Sequence, residues 1–447
     1  MNDPDHPVNL SRRHVLKTGA AAALGIPFLN SVNFSHAAGD ESRSNTFTPG
    51  QAKAVIEIWM WGGPSHLDTF DPKPGAGPDY CGPYNEVVKT VADGMVINSK
   101  LPLMAKQADK FSLIRSMTHG VNAHETASYL MQTGRSPGDG QVYPCIGSVV
   151  SKFKGYDAGY KGLLPPYIVL TQPHGRFSEE GFLGPKYKPF ATGGDPSRNP
   201  FTVQGVIAQG ITDARQQSRR DLLHSLDTLG KANTNTRDFK KLDECEEKAY
   251  SMILGDARKV FDLSSEPAAL RDKYGRNSFG QSCLMARKLV ENGVKYITLN
   301  YKGWDTHKMH FNLMNQKLPQ MDQAIATLFE DLAGRGLLDS TIVWCSGEFG
   351  RTPKVLWNEP WKGGRGHFGA CFSSLVGGGG FVGGHVVGAS DEKGMEVADR
   401  PVYPQDFLGS IYEKLGINPE GTLPNGRGEH VPITIPTQGK GRLKEIM

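Results

Sequence analysis

Short, nearly uninterrupted apolar runs recur along the chain, at 54–61, 111–115, 167–170, 294–299, 341–345 and 372–376. They are rich in β-branched and aromatic residues and show little apolar–polar alternation. That pattern predicts strands covered on both faces, as parallel sheets require. The first run stops hard at Gly62-Gly63-Pro64. Before the run at 341, residues 321–338 place Ile325, Leu328, Phe329 and Leu332 at helical spacing. Helix followed by strand predicts an α/β sheet.

Residues 201–290 break the pattern. They are charged and helix-prone, contain no convincing strand, and read as a helical insertion in a domain spanning 50–440. Segments 71–82 and 171–199 are rich in Pro and Gly and predict long surface loops. The glycine run at 377–384 lacks the Gly-Lys-Ser/Thr ending of a phosphate loop and reads as a turn between strands.

The first 38 residues read as a signal peptide. Ser11-Arg12-Arg13-His14-Val15-Leu16-Lys17 precedes an Ala-rich apolar run, and small residues follow for cleavage after Ala37 or Ala38. The arginine pair resembles a twin-arginine signal, which implies export to the periplasm or cell surface. No later segment has 18 uninterrupted apolar residues, so no membrane span is expected in the mature chain.

Composition narrows the partners. The chain has 50 Lys and Arg against 46 Asp and Glu, a formal charge of +4 in 447 residues. That is too close to neutral to argue for nucleic acid or a membrane surface. Six cysteines form no C-x-x-C pair, which argues against a thiolate zinc site. Cys345 and Cys371 lie in apolar runs and read as buried thiols.

The chemistry lies after the predicted strands. His66, Asp68 and Asp71 follow the first; His119 and His124 the second; Asp305, His307 and His310 the run at 294; Glu348 and then His367 the run at 341. In an open α/β sheet, ligands bind outside the carboxyl ends of the strands. Imidazole and carboxylate suit Zn, Mn or Fe, and carboxylate alone also suits Ca. Glu348 and His367 are flanked by glycines, which let backbone approach a ligand. Arg351, Lys354, Lys362 and Arg365 could bind an anionic group or be a solvated basic loop.

These stretches resemble the alkaline phosphatase and sulfatase superfamily. The closer resemblance is to one bacterial branch, domain-of-unknown-function family 1501. The matching segments are Trp61-Gly62-Gly63-Pro64-Ser65-His66-Leu67-Asp68-Thr69-Phe70-Asp71-Pro72-Lys73-Pro74, Gly303-Trp304-Asp305-Thr306-His307, Ser346-Gly347-Glu348-Phe349-Gly350-Arg351-Thr352-Pro353, Gly366-His367 and Tyr403-Pro404-Gln405-Asp406-Phe407. The superfamily implies a doubly wound, mostly parallel sheet with helices on both faces, a divalent metal, and hydrolysis of phosphate or sulfate esters. Three departures stand out. His124 occupies the place of the sulfatase cysteine that becomes formylglycine, and Ser128 replaces the arginine of that motif. Phe349 follows Glu348 where the superfamily has His or Asn. Gly62-Gly63 stands where an Asp is usual.

The expected activity is therefore metal-dependent hydrolysis of a small-molecule or glycan anionic ester. Zn or Mn, with Ca as a further option, would be held by Asp305, His307, Glu348 and His367, completed by His66, Asp68 or His124. Thr126 or Ser128 would be the nucleophile, or His124 the nucleophile or general acid; Arg351, Lys354 and Arg365 would bind the anion. Two rival readings stand beside it: a non-catalytic binder of an anionic glycan or partner protein, and a structural component whose histidines are satisfied internally.

Overall fold

The structure is a computed structural model and describes residues 50, 52–172, 179–199, 201–203, 212–226 and 257–447. The expected signal peptide lies outside the described residues. So do 173–178 of the second expected loop and 204–211 and 227–256 of the expected insertion.

Eight strands form the central sheet. In chain order they are β1 (Ala54–Trp59), β2 (Phe111–Met117), β3 (Tyr167–Leu170), β4 (Phe190–Ala191), β5 (Tyr296–Asn300), β6 (Thr341–Ser346), β9 (Phe372–Gly377) and β10 (Val386–Val387). Between β6 and β9 a small hairpin pairs β7 (Gly350–Arg351) with β8 (His367–Phe368). The sheet order is β10-β2-β9-β6-β1-β5-β3-β4. Every neighbouring pair is parallel except those made by β9, which runs against both β2 and β6. This is the doubly wound, mostly parallel α/β architecture.

β1 shows why the apolar runs became strands. All six of its residues are buried. Ile56 and Ile58 face one core and Val55 and Trp59 the other, so each successive side chain meets a covering layer. Fully burying such a side chain contributes about 1.5–3 kcal/mol, and a strand between two layers collects it from both faces. The first core is filled from α3 (Ser278–Glu291) and α4 (His310–Gly334). The second is filled by α2 (Ile146–Val150) and α5 (Pro404–Lys414), with Met131 of α1 (His124–Thr133).

One residue of β1 breaks the apolar rule. Glu57 is fully buried in the second face and accepts hydrogen bonds from Gln132 and from Thr298 Oγ1, the latter at 2.8 Å.

The described parts of 201–290 contain the helices Asp213–Leu226, Ala257–Val260, Ala268–Tyr274 and α3. α3 is a core layer rather than a cap, with Phe279, Leu284, Met285 and Leu289 buried against the sheet. The glycine run after β9 turns back through a Gly378–Phe381 bridge before β10. Among the described residues no helix is long and apolar enough to cross a membrane.

Candidate metal centre

The loops leaving β1 and β5 are fastened together. Tyr301 N–H donates to Trp59 O at 2.8 Å and Trp304 N–H to Trp61 O at 3.1 Å. That seam brings Asp305 against the turn after β1. Gly62 has φ +110°, and a Cβ there would lie 2.2 Å from the Asp305 backbone nitrogen, so only glycine fits. Gly62 N–H donates to both carboxylate oxygens of Glu348, at 3.0 and 3.2 Å.

Two further segments, with the same loop after β5, deliver the imidazoles. His124 is the first residue of α1. His307 follows Asp305 by two positions. His367 sits on β8 directly opposite Arg351 of β7. One ligand atom from each of His124, Asp305 and His367 lies within 4.8 Å of the other two. His307 Nε2 joins them, 3.1 Å from Asp305 Oδ1 and 2.8 Å from His367 Nε2. Phe349 is fully buried beneath the group, its ring 4.7 Å from that of His367 and 4.9 Å from that of His124. The cluster reaches solvent, with the Asp305 side chain 42 % exposed.

Ring orientation is informative. His367 Nδ1 lies 2.9 Å from the Asn122 carbonyl oxygen, which can only accept, so Nδ1 carries the proton. His367 Nε2 therefore points into the cluster, 3.2 Å from Asp305 Oδ1. His124 Nδ1 lies 2.5 Å from Glu348 Oε1, and its Nε2 is 3.4 Å from Asp305 Oδ2. Both rings thus present Nε2 inward and are held from behind at Nδ1. This is how metal-binding histidines are oriented by an outer carboxylate or carbonyl. Imidazole nitrogens and a carboxylate converging in this way fit Zn or Mn.

The charges reinforce one another. Burial works against a charge on His124, but its contacts with Asp305 and Glu348 raise its pKa to about 9. Burial likewise opposes the Asp305 charge, yet its contacts with His124, His367 and the Arg351 guanidinium hold it far below the usual carboxylate range. For His307, burial dominates and lowers its affinity for a proton.

Other expected site residues lie elsewhere. Glu348 is fully buried and touches the cluster only through His124. Asp68 forms a separate, fully buried group: Arg365 Nε lies 2.7 Å and His310 Nε2 2.8 Å from its Oδ2. Burial would raise the Asp68 pKa, but Arg365 and His310 bring it down to about 2. His66 is buried beside Phe368 and bonds the Gly394 carbonyl through Nε2 at 2.9 Å; its Nδ1 has no partner.

Of the expected anion binders, Arg351 is fully buried and its N–H groups are already used. They donate to the carbonyls of Gly62, Gly63 and Arg365 and to Asp305. Arg365 is spent on Asp68 and the carbonyls of Tyr80, Thr352 and Pro353. Lys354 is exposed. On α1, Thr126 is half-buried, while Ser128 Oγ is sealed in the core without a partner.

Sequence reasoning did not find Asn122, whose role rests on a backbone carbonyl with no residue signature. It did not pair His310 with Asp68 either.

Fold and cluster together define an α/β protein with a His/Asp site at the carboxyl edge of its sheet. The chain belongs to the family described as "Protein of unknown function (DUF1501)", which matches residues 52–446. A search of curated proteins returns no match. Among solved structures the chain is similar to a lipoteichoic acid synthase from Listeria monocytogenes, at 9% identity and a TM-score of 0.36, covering 87% of this chain and 76% of that one. It is also similar to a phosphonate monoester hydrolase from Silicibacter pomeroyi, at 10% identity and 0.37, covering 81% and 73%. A third is the alkaline phosphatase of the Antarctic bacterium TAB5, at 12% identity and 0.33, covering 78% and 96%. At this level of similarity nothing about the chemistry of this chain follows from these relatives.

Proposed function

We propose that this chain is an exported, metal-dependent hydrolase of phosphate or sulfate esters. The observation that supports it is the pair of imidazoles, His124 and His367, held at Nδ1 from behind with Nε2 turned toward Asp305. Asp305, His124 and His367, with His307, would hold the ion. When bound, a divalent ion polarises an ester oxygen and lowers the pKa of bound water.

The chain's own groups do the rest. Glu348 fixes the His124 ring, and Arg351 fixes Asp305. The N-terminus of α1 opens at the cluster with Ala123 as its cap residue and no side-chain cap. Its first N–H groups and the helix dipole favour an anion there. Thr126, in that first turn, is the hydroxyl with access for nucleophilic attack; Ser128 is not. Purified protein reconstituted with Zn or Mn should turn over members of a phosphate and sulfate ester panel. Failure across the whole panel overturns the reading.

The burial of Ser128 favours a second reading, a non-catalytic binder of an anionic glycan or partner protein. Stoichiometric metal and tight binding without product would select it. Export is tested by sequencing the N-terminus of protein recovered outside the cytoplasm; a start at residue 38 or 39 is expected.

A further inference from the structure

Two tryptophans lie outside the core clusters, and one of them, Trp361, stands beside His307 of the metal-site cluster. They sit on the 352–366 loop joining β7 to β8. Its neck is closed by Leu356 and Gly364: Leu356 N–H donates to Gly364 O at 2.9 Å, and Gly363 N–H returns to Leu356 O at 2.9 Å. Its base is riveted by Arg365 to Thr352 O and Asp68. The loop therefore presents its side chains from a fixed frame.

Trp361 is half-buried, its ring centroid 6.3 Å from that of His307. Trp357 lies on the Phe311 ring, centroids 5.7 Å apart and nearly parallel at 22°. Phe311 supports Trp357, yet Trp357 remains 48 % exposed. A Cβ on Gly363 would reach within 3.0 Å of the Trp357 ring, so the glycine permits this packing. Lys308, Lys354 and Lys362 are exposed in the same two segments.

Indoles left partly open to solvent near a polar site have a specific use. A hexose has an apolar C–H face and polar hydroxyl edges, and the negative face of an aromatic ring attracts such C–H groups. Lys308 and Lys354 in these segments add positive charge that suits sulfate or phosphate on the sugar, while Lys362 is paired with Glu359 at 3.1 Å. We infer that Trp361 and Trp357 form a stacking platform for the sugar rings of a glycan bearing an anionic ester, with Trp361 taking the ring whose ester faces the His/Asp cluster. This rests on the hydrolase reading for the position of the ester, and it narrows the substrate from anionic esters in general to glycan esters.

The test is a fluorescence titration of the full chain with sulfated and unsulfated hexasaccharides of glucose, galactose and N-acetylglucosamine. At least one sulfated member should quench tryptophan emission. Trp361→Ala should weaken that binding at least tenfold and Trp357→Ala several-fold, while Trp361→Phe, which keeps an aromatic face and guards against misfolding, should retain most of it. Equal binding by Trp361→Ala overturns the platform, as does a wild-type chain that binds no hexasaccharide. Binding of anionic phospholipid vesicles, lost in Trp361→Ala, without sugar binding would assign the rim to a membrane and overturn it equally. Turnover of a small aryl phosphate or sulfate is followed in parallel. Turnover without sugar binding removes the platform alone; sugar binding without any turnover removes the hydrolase reading and leaves the platform.

Discussion

Glu348 Oε1 lies 2.5 Å from Nδ1 of His124, although 224 positions separate the two residues in the chain. The carboxylate is fully buried, and its second tie is the Gly62 N–H. It therefore cannot swing away, and the imidazole it holds keeps one orientation.

Glu348→Gln keeps the shape and removes the charge. Outer-sphere partners of this kind typically affect metal affinity by about 10–100-fold. Zn affinity measured by competition with a chromogenic chelator should fall within that range. Unchanged affinity would show that the ring needs no such support.

Asp68→Asn should destabilise the fold. It leaves the Arg365 guanidinium fully buried without its counter-charge, since both side chains are 0 % exposed. Removing one partner of a buried ion pair costs about 3–5 kcal/mol. Urea unfolding should show a lower midpoint; a loss below about 1 kcal/mol would contradict the account.

Glu57 gives a pH dependence away from the cluster. Burial raises its pKa from 4.5 to about 7, against the hydrogen bonds from Gln132 and Thr298. Between those values the folded chain holds a proton that the unfolded chain has released. Stability attributable to Glu57 should therefore fall as pH rises from about 4.5 to about 7 and stay level above. The window corresponds to about 3 kcal/mol at most. Comparing unfolding of wild type and Glu57→Gln across this range isolates the effect, because the decline should be smaller in the variant.

Metal should stabilise the folded chain. At a free concentration 100-fold above its Kd, a ligand that binds only the native state contributes about 2.7 kcal/mol. Zn or Mn should raise the Tm of chelator-treated protein and restore ester turnover together. In His124→Ala the Tm response should shrink sharply; an undiminished response would place the ion elsewhere.

The strands of the main sheet were legible because burial on both faces writes a continuous apolar run, as in β1 and β6. The two-residue strands β4 and β10 are too short to leave a pattern, and hydrogen bonding to a neighbour alone defines them. Around the cluster, position after a strand nominated His124, Asp305, His307 and His367, which converge, but equally Asp68 and His66, which stand apart. A buried ion pair and an ion-binding site draw on the same residue types, so the partner decides. Arg365, 297 residues from Asp68, takes that carboxylate, and no local motif announces it. Gly62, which in the sequence marks only the end of the first strand, also leaves room for the Asp305 backbone.

Because the cluster draws on the entrance of α1, the loop after β5 and a hairpin beyond β6, its parts meet only when the sheet is complete. A nascent or truncated chain offers an ion at most the Asp305 and His307 pair of one loop, without the imidazoles of His124 and His367. On the proposed reading, an ion held there would be a late guest rather than a folding nucleus, taken up only after the sheet has closed.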